Sequence, residues 1–295
     1  MNKAVLSILL AFLVLSCTEK DAIKEKIILG FALPEGTLAD QGSIYISNVG
    51  KEFKPLDKDG DGFISKLTSD GEIVDMRFLP VRDTLHSPKG MGVANNVLYV
   101  TDIDRIKGYD LDSRKKVFDL DFSEEKTLLL NDITIKNDSI LYVSAMDIDK
   151  VYEVNLSTPS FKEIISLKKP NGLYWDRPNE KLYVGMFGRE EGGNGERGDI
   201  GVITFENDKA TYTELSSHQG NIDGLHLKGN KLIFTDWLSR GEHGGIQILD
   251  LASGEISDLT EHQINGPGDL YYDSSKNRLW IPKMRENKVL MIQLD

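Results

Sequence analysis

The sequence predicts an all-β protein whose body is a single six-bladed β-propeller. A strand phrase of the type Leu-Tyr-Val recurs six times, and no window beyond the N-terminal apolar run shows a helical period. The phrases begin at Ile44, Leu98, Leu141, Leu182, Leu232 and Leu279, at intervals of 54, 43, 41, 50 and 47 residues. A repeat of ~40–50 residues built from four short strands is typical of propeller blades.

Each repeat continues with two further strands that are separated by a turn signal. Thr68-Ser69-Asp70-Gly71 supplies that signal in the first repeat, and Ala252-Ser253-Gly254 supplies it in the fifth. Asp-Gly and Ser-Gly provide the positive φ that tight hairpins require. The longer intervals contain two insertions, at residues 51–62 and 189–199.

The last repeat is incomplete, because only residues 288–294 remain for a strand after the phrase at Leu279. A further strand is predicted at residues 25–33, before the first repeat. We expect this N-terminal strand to complete the last blade, since pairing the two ends removes an exposed sheet edge. The propeller is therefore assigned to residues 25–295.

Residues 1–16 are predicted to be a lipoprotein signal peptide. Lys3 precedes an apolar run at residues 4–15, and Ser16 stands before Cys17. A positive start, about a dozen apolar residues and a small residue at the cut are typical of a secretory signal. Val14-Leu15-Ser16-Cys17 also resembles the lipobox of bacterial lipoproteins, in which the cysteine is acylated. We therefore expect Cys17 to be lipidated; the alternative is an ordinary signal peptide with an incidental cysteine.

This interpretation places the protein in the bacterial cell envelope, in the periplasm or at the cell surface, attached to the membrane by its lipid anchor. Residues 17–24 would form a polar tether. The formal net charge is −12 and becomes −13 when the signal, with Lys3, is removed. Such an acidic body repels phosphate backbones, which argues against nucleic acid as a partner. Cys17 is the only cysteine, so no disulfide forms within the chain, and we expect a monomer.

The residues that open the six inner strands are predicted to crowd one mouth of the central channel. These phrases are Pro34-Glu35-Gly36, Pro88-Lys89-Gly90, Asn131-Asp132-Ile133, Pro170-Asn171-Gly172, Ile222-Asp223-Gly224 and Pro267-Gly268-Asp269. Four of them carry an oxygen ligand: Glu35, Asn131, Asn171 and Asp223. An all-oxygen set suits a hard divalent cation, Ca²⁺ first, with Mg²⁺, Mn²⁺ or Zn²⁺ as alternatives. Lys89, Asp132 and Asp269 are predicted to lie at the channel mouth, near a substrate. Alternatively, these Asn and Asp residues only cap turns.

In their order and blade assignment, these phrases resemble the senescence marker protein/gluconolactonase/regucalcin family of six-bladed propellers, over nearly all of residues 24–295. Glu35-Gly36-Thr37 matches the phrase that opens the family's first blade, apart from a proline, and Asn131-Asp132 matches the Asn-Asp pair of the third. Pro170-Asn171-Gly172-Leu173 matches the fourth opening, and Ile222-Asp223-Gly224 matches the fifth with Ile in place of Pro. The matching side chains are the family's metal ligands, so the resemblance implies this role for the four oxygen-bearing residues here.

The chain departs from its relatives at two positions that bear on the substrate. The family's substrate-contacting Arg is Leu129 here, which argues against a sugar-acid lactone. Paraoxonase-like propellers share Asn131-Asp132-Ile133 but have a histidine where Lys89 stands, so their His-assisted chemistry is not supported. Residues 98–102 resemble NHL-type propellers, many of which only bind partners. Two functions stay open: a gluconolactonase-like metal-dependent hydrolase of a lactone or related ester, and a non-catalytic propeller that binds a ligand or an envelope protein.

In the hydrolase, the cation would act as a Lewis acid on the carbonyl and Asp223 would be the general base. Lys89 would favour an anionic substrate or intermediate. The five histidines have no Ser or Cys partner at a recognisable spacing, so no triad is assigned. Trp175, Trp237 and Trp280 are predicted to pack between blades.

A second cation site is a candidate in the first insertion. Asp57, Asp59 and Asp61 alternate before Gly62, as in the opening of an EF-hand loop. The twelfth position is Thr68, where an EF-hand has a bidentate Glu. The segment is therefore either a calcium clip on a surface loop or a plain Asp/Gly turn.

Overall fold

The computed structural model describes residues 24–188, 198–207, 209–240 and 243–294. The signal peptide and Cys17 lie outside this part of the chain, as do residues 189–197 of the second predicted insertion. Among the described residues, twenty-four strands form six four-stranded antiparallel sheets, which confirms the six-bladed propeller. Within the described ranges, no helix has the length and apolar character needed to cross a membrane.

The first five blades each consist of four consecutive strands, with the first strand innermost. Blade one contains β2 (Pro34–Asp40), β3 (Ser43–Asn48), β4 (Phe63–Thr68) and β5 (Ile73–Leu79). Blade two contains β6 (Pro88–Ala94), β7 (Val97–Asp102), β8 (Arg105–Asp110) and β9 (Lys116–Asp121). Blade three contains β10 (Leu130–Asn137), β11 (Ile140–Ala145), β12 (Lys150–Asn155) and β13 (Ser160–Ser166).

The remaining blades keep the same order until the ring closes. Blade four contains β14 (Pro170–Asp176), β15 (Lys181–Met186), β16 (Ile200–Glu206) and β17 (Lys209–Glu214). Blade five contains β18 (Ile222–Lys228), β19 (Lys231–Arg240), β20 (His243–Asp250) and β21 (Ile256–Asp258). Blade six contains β22 (Tyr271–Asp273), β23 (Arg278–Lys283), β24 (Lys288–Gln293) and, as its outermost strand, β1 (Lys24–Leu29). Short 3₁₀ turns lie at Ser123–Glu125, Met146–Ile148 and Met284–Glu286.

The N-terminal strand closes the ring as the sequence predicted. β1 pairs antiparallel with β24, from Lys24 opposite Gln293 to Leu29 opposite Lys288. It starts one residue earlier and ends sooner than predicted, because Gly30 has a φ of 105° and turns the chain away from the sheet. Lys24 therefore belongs to the propeller and not to the tether.

The recurring Leu-Tyr-Val phrases form the second strand of every blade. This strand lies inside its sheet, and both of its faces pack against neighbouring blades. In blade three Leu141, Tyr142 and Val143 are all fully buried, as is Trp280 in blade six. Burial on both faces explains why the phrase is apolar at consecutive positions, in contrast to the alternation of a strand with one wet face.

Candidate functional site

The opening phrase of every inner strand forms a β-bulge. In blade one Pro34 pairs with Asn48 and Thr37 with Ile46, so β2 has one residue more than β3 over this stretch. The inner strands of blades two to five carry the same irregularity. Blade six repeats it, since Pro267 bridges Lys283 while Tyr271 pairs with Trp280. Six equivalent bulges thus surround the channel, and bulges re-aim the side chains they carry.

Hydroxyl groups on the second strands tie neighbouring bulges together. The Ser144 hydroxyl accepts a hydrogen bond from Asp132 N at 2.9 Å and donates to the Asn171 carbonyl at 2.7 Å. Thr235 repeats this arrangement, accepting from Gly224 N and donating to the Gly268 carbonyl. Close backbone contact completes the ring: a Cβ on Gly172 would lie 1.7 Å from the Asp223 carbonyl oxygen, which only glycine permits.

In five of the six blades the first residue of the bulge lines a cavity of about 340 Å³ at the end of the channel where the inner strands begin. The structure brings five of the sequence-predicted residues together there: Glu35, Lys89, Asn131, Asn171 and Asp223. All five are at least nine-tenths buried. They come from five different blades, and the sixth blade contributes Gly268 at the equivalent position.

Several oxygens at this site have no hydrogen-bond donor among the described residues. Asn171 donates its amide Nδ2 to the Ile222 carbonyl at 2.9 Å, and its Oδ1 is buried without a partner. Glu35 Oε2 and Asn221 Oδ1, which line the same cavity, are also buried and unpaired. Asp223 Oδ2 accepts a hydrogen bond from the Trp237 indole at 2.6 Å. Unpaired buried acceptors are costly, so these atoms are available to bind a donor or a cation.

Burial dominates the electrostatics of the cavity. It raises the pKa of Asp223 to about 7, against the opposing effect of the Trp237 and Asn171 hydrogen bonds. It also raises the pKa of Glu35 well above its ordinary value, and the charge of Asp223 adds to this shift. The Lys89 pKa is lowered by burial, although the Glu35 carboxylate counteracts the effect. Lys89 Nζ donates to the Ser87 carbonyl at 3.1 Å and to the Ser87 hydroxyl at 3.0 Å.

The donor set fits a hard divalent cation. Glu35 and Asp223 supply carboxylate oxygens, and Asn171 supplies an unpaired amide oxygen, which are ligand types that Ca²⁺ and Mg²⁺ prefer. In the part of the chain that the structure describes, no group of three or more His, Cys, Asp and Glu side chains could hold a metal. The four oxygen-bearing residues at this site do not form such a group, because two of them, Asn131 and Asn171, are amides. The ammonium of Lys89 reduces the negative charge available to a cation.

Asp132 and Asp269 do not face this cavity, although the sequence predicted them at the same mouth. They are the second residues of their bulges and line a cavity of about 400 Å³ farther along the inner strands, together with His226 and Tyr174. Successive side chains of an extended chain point in opposite directions, so Asn131 lines the first cavity and its neighbour Asp132 lines the second. Burial raises the pKa of Asp132 to about 7, against hydrogen bonds from Leu173 N and Ile133 N. Burial also raises the pKa of Asp269 well above its usual range.

Two of the three aspartates of the first insertion, Asp59 and Asp61, bond to their own loop. Asp61 Oδ2 accepts a hydrogen bond from Lys51 N at 2.9 Å, and Asp59 Oδ1 accepts one from Asp61 N at 3.4 Å. Asp57 is exposed, and Asp61 Oδ1 is buried with no partner among the described residues. This geometry is compatible with a turn and with a clip, so calcium binding by the loop stays a prediction.

An apolar wall above the five polar residues was not foreseen from the sequence. Phe53, Met146, Phe187, Trp237 and Met284 line the cavity; Trp237 lies within the second strand of its blade, and the other four follow theirs. Trp237 therefore differs from the predicted role of an inter-blade packing residue: its ring lies at the cavity and its indole holds Asp223. The signal was present in the sequence as apolar residues at the ends of the Leu-Tyr-Val strands. These residues were missed because they lie at or beyond the strand ends, where the alternation of a strand no longer indicates which side chains are buried.

Comparison with known proteins shows the fold of this chain. No family model matches the sequence, and no curated protein matches it. Among solved structures, the chain is similar to a gluconolactonase from Xanthomonas campestris, with 14% identity, a TM-score of 0.66, and 92% of this chain and 90% of that one covered. A virginiamycin B lyase from Staphylococcus aureus is 13% identical with a TM-score of 0.58, and the match covers 93% of this chain and 100% of that one. An auxiliary nutrient binding protein from Bacteroides thetaiotaomicron is 12% identical with a TM-score of 0.63, and the match covers 92% of this chain and 76% of that one.

By its fold and its site, the protein is therefore a six-bladed β-propeller with a polar cavity at one end of its channel. Its solved structural neighbours include gluconolactonase and lyase propellers. At these identities the likeness establishes the architecture, and function has to be argued from the site.

Proposed function

We propose that this protein is a metal-dependent hydrolase of a lactone or a related ester. One observation carries the proposal: oxygen-bearing side chains from four blades meet at the buried end of one cavity, and two of their oxygens lack partners. The structural similarity to a gluconolactonase supports it. Glu35, Asn131, Asn171 and Asp223 would hold the cation, with Ca²⁺ as the first candidate and Mg²⁺, Mn²⁺ or Zn²⁺ as alternatives. When bound, such a cation polarises an ester carbonyl and stabilises negative charge on its oxygen.

Asp223 is the proposed general base. Its Oδ2 is held by the Trp237 indole, which leaves Oδ1 to take a proton from a water that attacks the carbonyl carbon. Burial raises its pKa, whereas a bound cation would lower it, because the positive charge favours the carboxylate form that a general base needs. Breaking the bond between the carbonyl carbon and the ring oxygen opens the lactone. The departing oxygen recovers a proton, so the product is a hydroxy acid.

Lys89 is the proposed positive group for the negative charge that develops during the reaction. Three acceptors hold its ammonium: the Ser87 carbonyl, the Ser87 hydroxyl and the Pro55 carbonyl at 3.2 Å. A fixed charge in a buried site needs little reorganisation when the substrate changes its charge. The same fixed charge would favour an anionic substrate or intermediate.

The proposal is tested by measuring hydrolysis of a lactone panel after EDTA treatment and after each of the four cations is restored. Activity should disappear with EDTA and return with one of them. Asn171→Ala should abolish that return, because it removes one buried oxygen of the set. Asn179→Ala is the matched control, since Asn179 is exposed in the same blade. Absence of turnover with every cation would contradict the proposal.

Binding without catalysis is the second candidate, and the buried ammonium of Lys89 favours it. Lys89 interacts with Glu35 and Asp223 and so occupies part of the negative charge that a cation needs. The similarity to a nutrient binding protein agrees with this function. Metal-independent ligand binding without turnover would support the binding protein over the hydrolase.

We further propose that the protein acts in the bacterial cell envelope, with Cys17 lipidated and the propeller held at the membrane by a short tether. The lipobox-like residues 14–17 support this placement. A small lactone or ester, or an envelope protein in the binding alternative, would then be the partner. The acidic charge of the chain argues against a nucleic-acid partner.

A further inference from the structure

We propose that the cavity selects lactones or esters that carry an apolar alkyl or aryl substituent, in preference to polyhydroxylated sugar lactones. This inference rests on the proposed hydrolase function and names the substrate class of the same site. It is carried by the wall of the cavity, whereas the proposed function is carried by the polar residues at its buried end.

Most of the exposed lining of the cavity is apolar. Seven apolar residues line it: Phe53, Pro55, Leu129, Met146, Phe187, Trp237 and Met284. Phe187 packs edge to face on Trp237 with ring centroids 5.7 Å apart, and Phe53, at the rim, is 49% exposed. A large exposed aromatic beside other apolar groups indicates a surface that a ligand covers.

Leu129 places an apolar side chain immediately beside the polar set. The Leu129 carbonyl accepts a hydrogen bond from Met146 N at 3.1 Å, and Leu129 N donates to the Thr127 hydroxyl at 3.2 Å. These two hydrogen bonds fix the Leu129 backbone, which lies two residues before Asn131 in the sequence. The half-buried Leu129 side chain lines the cavity. A substituent next to the reacting carbonyl would contact this side chain.

Polar groups on the described part of the wall are few. Asn221 offers one unpaired oxygen, and the Arg285 guanidinium lies 5.3 Å from the ring centroids of both Phe53 and Trp237. A sugar lactone carries several hydroxyls, and each one that is buried without a partner weakens binding substantially. An alkyl chain has no such requirement and gains from every methylene that leaves water.

The size of the cavity sets the length of the substituent. About 340 Å³ lies near the lower end of the range of ~300–1,000 Å³ that is typical of small-molecule sites. A lactone ring with a short chain would therefore fill it. Longer chains would reach past the rim at Phe53 into solvent and gain little more.

The test is a chain-length series with the cation-loaded protein. The value of kcat/KM should rise roughly two- to four-fold per methylene from γ-valerolactone to γ-octalactone. Glucono-δ-lactone should be at least about ten-fold poorer than γ-octalactone, because its hydroxyls stay unpaired. Leu129→Ser should reduce the octalactone-to-valerolactone ratio about three- to ten-fold. Val117→Ser, on an exposed outer strand of blade two, is the matched control and should leave the ratio unchanged.

A binding arm separates the two proposals. 2-Alkylcyclopentanones resemble the lactones but cannot be hydrolysed, and calorimetry should show affinity that rises with alkyl length in the wild type and less in Leu129→Ser. Glucono-δ-lactone hydrolysis that equals or exceeds that of γ-octalactone would overturn the substrate class and leave the hydrolase standing. Length-dependent binding without any turnover would contradict the hydrolase and support the apolar ligand class. A flat response in both arms would overturn the substrate class.

Discussion

The hydroxyl of Ser144 offers a direct test of how the bulges are held. Ser144 is fully buried on β11, where its hydroxyl joins the Asp132 amide of its own blade to the Asn171 carbonyl of the next. Ser144→Ala removes both hydrogen bonds and leaves the Asp132 amide and the Asn171 carbonyl without the hydroxyl that joins them. Each unpaired buried backbone group costs about 1–3 kcal/mol, so the free energy of unfolding should fall by about 2–6 kcal/mol.

The loss should also reach the site. Asn131 and Asn171 flank the two backbone groups that Ser144 joins, and a looser bulge would position their amide oxygens less well. If the proposed cation binds, we therefore expect Ser144→Ala to weaken its binding about ten-fold or more, since supporting contacts of metal ligands commonly have effects of about this size. Urea unfolding with linear extrapolation measures the stability, and calorimetric titration measures the affinity.

Ser157→Ala is the matched control, because Ser157 lies in the exposed turn after β12 of the same blade. It should change the free energy of unfolding by less than about 0.5 kcal/mol. If Ser144→Ala were no more destabilising than Ser157→Ala, the claim that second-strand hydroxyls hold the bulges would be wrong. An unstable variant with unchanged cation affinity would refute the link between the bulge and the site.

Three further predictions concern other parts of the chain. If the loop of Asp57, Asp59 and Asp61 is a calcium clip, replacing all three with Asn should lower the calcium-dependent rise in melting temperature; an unchanged rise would reject the clip. Burial lowers the pKa of His226 to about 3 from its ordinary value of 6.5, so only the unfolded chain takes up this proton between those values. Stability from this group is therefore complete above pH 6.5 and falls as the pH falls toward 3, by at most about 2 kcal/mol between pH 6.5 and 5. His226→Phe should remove that part of the pH dependence, and identical unfolding profiles for the two proteins would contradict it. Cys17→Ala should move the protein from the membrane fraction to the soluble fraction of cells and abolish the acyl mass on the N-terminal peptide; an unaltered distribution would exclude the lipid anchor.

The sequence alone was sufficient for the architecture. A strand with both faces covered must be apolar at consecutive positions, so the phrases at Leu141 and its five counterparts marked the second strand of every blade. The unfilled last repeat and the spare N-terminal strand were also visible, which made the pairing of β1 with β24 predictable. These features follow from local pattern and from counting strands, and neither requires knowledge of distant contacts.

The site was only partly predictable, because it is assembled from residues far apart in the chain. The opening phrases of the inner strands were readable, since each repeats once per blade, and they include the five polar residues that meet in the first cavity. The bulges were not readable, and they decide that Asn131 faces one cavity while Asp132 faces the other.

The tertiary structure also decided the apolar wall and the bond from Trp237 to Asp223. Both depend on where loops from different blades lie when the ring is closed. Strand periodicity records which face of a sheet is buried, whereas the convergence of loops depends on the curvature of the whole ring. The sequence therefore determined the blades and the chemistry available at their inner ends, and only the closed ring determined which of these groups face one another.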